Sequence, residues 1–280
     1  MSVVINTNYA AVLSRKNLAE VQRQMDMSVE RLSSGKRINN AADDAAGSAI
    51  SGRMESQIRG LTMAIRHAKD GQSLTNTAEG AMQEVNKILQ RMRELAVQSA
   101  SGVASNTDRD YLDLEMTQLV SEIDSIAKNT KFNDLRVLTG AQFTFYTDID
   151  VKGTAIVTAK ASIAAVNLGV TAALVDISSS TSNTSTTGVQ AVITRIDSAL
   201  ATVDNRRASL GAISNRFDHI VDNLQNVIMN TVASQSRIVD ADFSIETTNL
   251  TRNTVLQQAA TSMLAQANAQ KNSILALIQG

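Results

Sequence analysis

The chain reads as a mainly α protein: an elongated rod of long antiparallel helices, coiled-coil-like at both ends, with a small β-hairpin region. Three observations lead there. Apolar residues recur at steps of three, four and seven through both halves of the 280 residues, the spacing that places side chains on one stripe of a helix. The 43% hydrophobic content is almost all aliphatic plus Ala and ten Met, with 3% aromatics and no Trp, Cys or Pro, which suits helix packing better than a sheet core. The segments also follow one another as helix, connector, helices, strands, loop, helix, connector, helix, nearly a palindrome.

Leu18, Val21, Met25 and Leu32 form the stripe of a first amphipathic helix. The stretch from Ser33 to Asn40, with a Gly and two Asn, breaks it and reads as a connector. Periodicity resumes through Ile50, Met54, Ile58, Leu61, Ile65 and Ala68, then past Gly71 through Ala78, Met82, Val85, Leu89, Met92 and Leu95. That is one helix of unusual length or two nearly collinear ones. After a polar turn at 99–108, Leu112, Met116, Leu119, Ile123 and Ile126 predict a third helix ending near Asn129.

Residues 132–175 change character. Phe132, Phe143, Phe145 and Tyr146 are four of the eight Phe and Tyr, set among Val, Ile and Thr, and predict short strands or hairpins. Nine of the ten residues from Ser178 to Thr187 are Ser or Thr, a composition that buries no core and reads as an exposed loop. A heptad seam follows through Ile196, Leu200, Val203, Arg207, Leu210, Ser214, Phe217, Val221, Leu224, Ile228 and Thr231, whose polar members set register at some cost in stability. A second connector, 234–242, precedes a last amphipathic segment carrying Leu250, Val255, Leu256, Ala259, Met263, Leu264, Ala267, Ile274, Leu275 and Ile278. The palindrome lets the first helix pair with the last and the long inner helices pair with each other. The expected divisions are 1–40 pairing with 236–280, a rod from 41–140 and 189–235, and a variable region at 141–188. Terminal helices this poor in aromatics bury too little surface to stand alone, and copies of the same chain are the simplest partners.

Chemistry is hard to find. A net charge of −1 offers no footprint for nucleic acid or an anionic membrane, and apolar runs of about five residues fall far short of the roughly 20 that span a bilayer. The first residues lack the basic flank and apolar run of a cleaved secretory signal. His67 and His219 stand without a second ligand at helical spacing. Asp43 with Asp44, and Asp240 with Asp242, sit at connector–helix junctions, where a carboxylate caps helix amides. No phosphate-cradling or zinc-hydrolase motif is present, so neither an enzyme nor a cofactor is expected.

The segment Ser33-Ser34-Gly35-Lys36-Arg37-Ile38-Asn39-Asn40-Ala41-Ala42-Asp43-Asp44-Ala45-Ala46-Gly47-Ser48-Ala49-Ile50 closely resembles the signature of bacterial flagellins. Further matches are Asn6 to Ala11, Gln57-Ile58-Arg59-Gly60-Leu61, Gln90 to Gln98, Glu122-Ile123-Asp124, Thr130-Lys131-Phe132-Asn133 and Met263 to Asn268. The resemblance covers roughly 1–140 and 190–280. It implies a filament subunit that self-assembles into a homopolymer, with the terminal helices as an inner tube packed through Leu18, Val21, Met25, Leu32, Leu256, Met263 and Leu264. It also implies export by the flagellum's own type III apparatus to the extracellular filament, and partners among export chaperones, junction and cap proteins and innate immune receptors.

The same resemblance implies a surface recognised by Toll-like receptor 5 at Gln90, Arg91, Leu95, Gln98 and Glu115, with Leu95 as an apolar anchor. The region from Leu264 to Ile278 is similar to the part bound by the chaperone and by inflammasome receptors, although the ending Ile278-Gln279-Gly280 departs from the usual Leu-Leu-Arg-like tail. The middle is too short for the outer domains of long flagellins. Ser178, Ser179, Ser180, Thr181, Ser182, Thr184, Ser185, Thr186 and Thr187 resemble segments O-glycosylated in some relatives. The rival readings are a hook–filament junction protein, in which Pro usually follows the Asp pair where Ala45 stands here, and an extracellular helical binding module.

Overall fold

The computed structural model describes residues 7–147, 155–157, 162–178 and 186–279, with the backbone alone at 155, 186–187 and 271–279. In chain order the elements are α1 (Tyr9–Ser34), α2 (Ala45–Ser99), α3 (Asn106–Asn129), β1 (Lys131–Phe132), β2 (Leu135–Arg136), β3 (Thr144–Tyr146), β4 (Ala155–Val157), α4 (Ala165–Leu168), α5 (Thr186–Val239) and α6 (Phe243–Gln279). They fall into two compact units, one of Met1–Ile58 with Met229–Gly280 and one of Arg59–Ile228.

In the first unit α1 runs antiparallel to α6. Asn8 caps α1 by accepting the Ala11 N–H at 3.2 Å, while its own amide donates to the Ala267 carbonyl at 3.0 Å. Farther along, Gln257 donates to Gln22 at 2.7 Å and Arg31 to Glu246 at 3.1 Å. Leu18, Val21, Met25 and Leu32 are half-buried in this seam, as the spacing predicts, with Ser28 buried among them. On α6 the seam is more polar than its apolar stripe suggests. It runs through Glu246, Leu250, Asn253, Gln257, Ala260, Leu264 and Ala267, alternating steps of four and three. Of the three α6 residues expected to pack, Leu264 lies on it, whereas Leu256 (44% exposed) and Met263 (64%) turn outward. The apolar residues of α6 do not share one face, and the heptad from Leu250 to Leu264 passes through polar positions.

The two connectors meet in this unit as a short backbone bridge. Gly35 takes a left-handed turn at φ 70° that ends α1, a conformation that costs glycine nothing. Arg37 N–H then donates to the Val239 carbonyl at 2.6 Å and Ala241 N–H to the Gly35 carbonyl at 3.0 Å. Two of the four junction aspartates cap a helix, while Asp240 accepts the Ser236 hydroxyl at 2.6 Å. Asp44 accepts the Gly47 N–H at 2.9 Å at the start of α2, and Asp242 accepts from Ser244 and Ile245 at the start of α6. Asp43 instead closes the connector turn on the N–H groups of Asn39 and Asn40, and these hold its carboxyl below the ordinary range.

In the second unit α2 and α5 run antiparallel, joined by Gln72 to Asp218 at 2.8 Å, Asn86 to Asp204 at 2.8 Å and Arg93 to Asp197 at 2.7 Å. Helix α2 continues unbroken through Gly71. A Cβ there would stand 2.5 Å from the Phe217 ring, so the glycine serves close packing rather than a break. Phe217 meets Phe145 edge-on, centroids 5.8 Å apart, and with Ala68 and Ile156 forms a small core where the β3–β4 pair covers the helices. The larger core is built from Met82, Leu89, Met92, Met116, Ile123 and Ile196. Helix α3 opens with a reciprocal Ser105–Asp108 capping box and ends at Asn129, as its spacing predicts.

The region read as hairpins holds two antiparallel strand pairs, β1–β2 and β3–β4, together with the short helix α4. Its Ile163, Ala165, Leu168, Val170, Val175 and Ile177 are buried, pinned to α3 where Asp124 accepts the Ala165 N–H and Asp113 the Ile177 N–H. The Ser/Thr-rich stretch is shorter as a loop than expected, because α5 already begins at Thr186. Of its nine hydroxyl residues, Ser178 is half-buried, Thr186 and Thr187 open the helix, and 179–185 lie outside the described residues.

Candidate recognition and assembly surfaces

Of the five residues expected on a recognition surface, Gln90, Arg91 and Gln98 are exposed on α2 and Glu115 on α3. Arg91 joins the two helices: its Nε donates to Glu115 at 2.9 Å and a terminal nitrogen to Glu94 at 3.1 Å. Glu115 first and Glu94 second hold the guanidinium in its charged form, raising its pKa further. Gln90 donates to Asn86 at 2.8 Å.

Leu95 corrects the expectation. It is 0% exposed, packed in the core shared with Met92, Met116 and Ile196. The reason was visible in the sequence, since Leu95 continues the Leu89–Met92 stripe that turns toward α3 and α5. The apolar residue that does reach this face is Val97, 51% exposed. It lines a shallow hollow of about 490 Å³ with Gln90, Arg93, Glu94 and Gln98. Val97 sits among polar neighbours at the interval that belongs to the outer face, a signal that a search for apolar periodicity passes over.

The second surface lies on the first unit. Tyr9 (75% exposed), Val12 (58%) and Val29 (49%) on α1, and Ile245 (59%), Val255 (59%) and Met263 (64%) on α6, all turn away from the α1–α6 seam. The seam itself buries Ser28, Glu246 and Asn253. Beside its half-buried apolar residues the seam thus also buries polar ones, while large apolar side chains stand outside, as on a face that a partner covers. A groove of about 520 Å³ on α6 runs along Thr247, Thr248, Thr251, Arg252, Val255 and Leu256.

Among the described residues no group of three or more His, Cys, Asp or Glu is placed to hold a metal ion, and no helix is long and apolar enough to cross a membrane. His219 lines a groove with Thr147, Asn215 and Arg216.

The bacterial flagellin N-terminal helical region matches residues 5–143, and the bacterial flagellin C-terminal helical region matches 193–278. A flagellin of Halalkalibacterium halodurans is 40% identical over 280 residues, covering 99% of this chain and all of the relative. Flagellin FlaB2 of Treponema pallidum is 36% identical over 291 residues, with the same coverage. The solved structure of a candidate flagellar hook-associated protein from Vibrio parahaemolyticus shares the fold, with a TM-score of 0.61 over 71% of this chain and all of that one, at 14% identity. With both family regions matched in order and identity sustained end to end, the chain belongs to the bacterial flagellin family.

Proposed function

We propose that this flagellin polymerises through the outward faces of α1 and α6. As a member of its family the chain is a structural subunit of the flagellar filament, and motility follows from that membership. The observation that supports the contact surface is the set of large apolar side chains that α1 and α6 leave outside their mixed seam. A subunit that buries such a face on a different patch of its neighbour makes a heterologous contact, which leaves a free end and grows a helical polymer. Residues 1–40 and 236–280 then supply the inner tube, and 41–140 with 189–235 the helices around it. The full chain, heat-dissociated, should extend short filament seeds into long filaments under the electron microscope. Chains lacking 1–32 or 243–280 should not extend them while Arg59–Ile228 stays helical, and growth by either truncation would contradict the contact surface.

The role is structural, exercised outside the cell after export by the flagellar type III apparatus, with a chaperone at the C-terminal region and junction and cap proteins at the filament ends. Released monomers engage Toll-like receptor 5 through Gln90, Arg91, Gln98 and Glu115, with Val97 rather than Leu95 as the apolar contact. What supports this is that the four polar residues are exposed on neighbouring helices and that Arg91 is held in place by Glu115. Arg91→Ala should weaken receptor activation by monomers, and an undiminished dose response would count against it. The hydroxyls between Ser178 and Thr187 are the proposed positions for O-glycosylation, which intact-mass measurement of the natural filament would reveal.

A further inference from the structure

Gln90 is held by a hydrogen-bonded chain that begins on the facing helix. Asp204 on α5 accepts from Asn86 Nδ2 at 2.8 Å, and Asn86 Oδ1 accepts from Gln90 Nε2 at 2.8 Å. Asn86 is only 9% exposed, so water is a poor substitute for either bond. The direction of the chain follows from its first member. An ionised carboxylate only accepts, so Asn86 turns its nitrogen to Asp204 and its oxygen toward Gln90. That oxygen in turn only accepts, so Gln90 turns one amide N–H inward and keeps its carbonyl oxygen, with the second N–H, on the exposed face. Arg207 stands 3.8 Å from the same Asp204 oxygen and is itself bonded to Glu79 at 2.8 Å.

We propose that Asp204, acting through Asn86, fixes the orientation of the Gln90 amide and presents its carbonyl oxygen as an acceptor to a protein partner offering a donor there. The partner half of this rests on reading the face as a recognition surface; the orientation half does not. Asp204 is then a positioning residue: it faces α2, and its effect on recognition passes through two amides. Arg91 beside Gln90 shows the opposite polarity, with its Nε–H on Glu115, one terminal N–H on Glu94 and its other N–H groups left on the exposed face. The face therefore shows a partner an oriented amide acceptor next to a cation that still has donors to offer.

The test uses the full chain as unseeded monomer, with the Gln90 side-chain amide resonance assigned by its loss in Gln90→Ala. In Asp204→Asn the replacement can donate or accept, so the direction is no longer imposed. The Gln90 amide protons should shift toward the free-amide position and exchange several-fold faster, and Asp204→Glu should restore them in part. Receptor activation by Asp204→Asn should need a several-fold higher dose, with no further loss when the change is made on Gln90→Ala. An unmoved Gln90 resonance in Asp204→Asn overturns the orienting role whatever the receptor does. A moved resonance with unchanged activation, where Arg91→Ala is impaired, overturns the presentation to a partner. If Arg91→Ala is unimpaired as well, the recognition surface itself falls, and the resonance alone still decides the orienting role.

Discussion

Leu95 and Val97 stand two positions apart on α2 and have opposite fates, one 0% and the other 51% exposed. Truncating Leu95 to Ala should cost about 2–5 kcal/mol of stability, the range for a fully buried leucine. Val97→Ala should stay within about 0.5 kcal/mol and show its effect in receptor activation instead. Denaturant unfolding of both variants beside a dose–response assay separates the two, and a Val97→Ala as unstable as Leu95→Ala would place that side chain in the core. Asp113 gives a pH-dependent counterpart. Burial, then the charges of Asp176 and Asp110, push its carboxyl above the ordinary range, opposed by the Ile177 N–H. A folded pKa raised above the unfolded one contributes stability that is present below the unfolded value and lost as pH rises through the folded one. Asp113→Asn keeps an acceptor for Ile177 and removes the charge. Its melting temperature should exceed the parent's at neutral pH and converge with it in acid, and a variant less stable at neutral pH would show that the ionised form is favoured there.

The helices were largely legible because each carries its own signal. The stripe from Leu61 to Leu95 and the seam from Ile196 to Phe217 predict the long pair, and Asp44 and Asp242 mark two helix starts. What could not be read is where partners decide the outcome. The α6 seam runs through Gln257, which takes its seam position because α1 brings Gln22 opposite. α4 exists because α3 supplies a carboxylate to the Ala165 amide, a contact between residues far apart in sequence. Gly71 was ambiguous for the same reason, as a glycine in a helix reads as a weak point until Phe217 is placed against it. Gly71→Ala should destabilise by about 1–3 kcal/mol through overpacking, and pairing it with Phe217→Leu should recover part of that loss in thermal unfolding. A Gly71→Ala more stable than the parent, as helix propensity alone would give, would contradict the close approach.

For the molecule as a polymer subunit, the sequence carried the family and the pairing of its ends, but not which faces stay uncovered. That requires knowing which apolar residues a single chain already uses. Leu18, Val21 and Leu264 are spent within the α1–α6 seam, and Val12, Val255 and Met263 remain outside. The apolar pattern of the last helix lists Val255, Met263 and Leu264 together. The measurement that separates them is seeded growth of the full chain carrying Val255→Asp and Met263→Asp, followed by electron microscopy and circular dichroism. The variant should keep the parent's helical content as a monomer and fail to extend seeds. Filaments growing at the parent's length and yield would contradict assembly through the outward faces of these two helices.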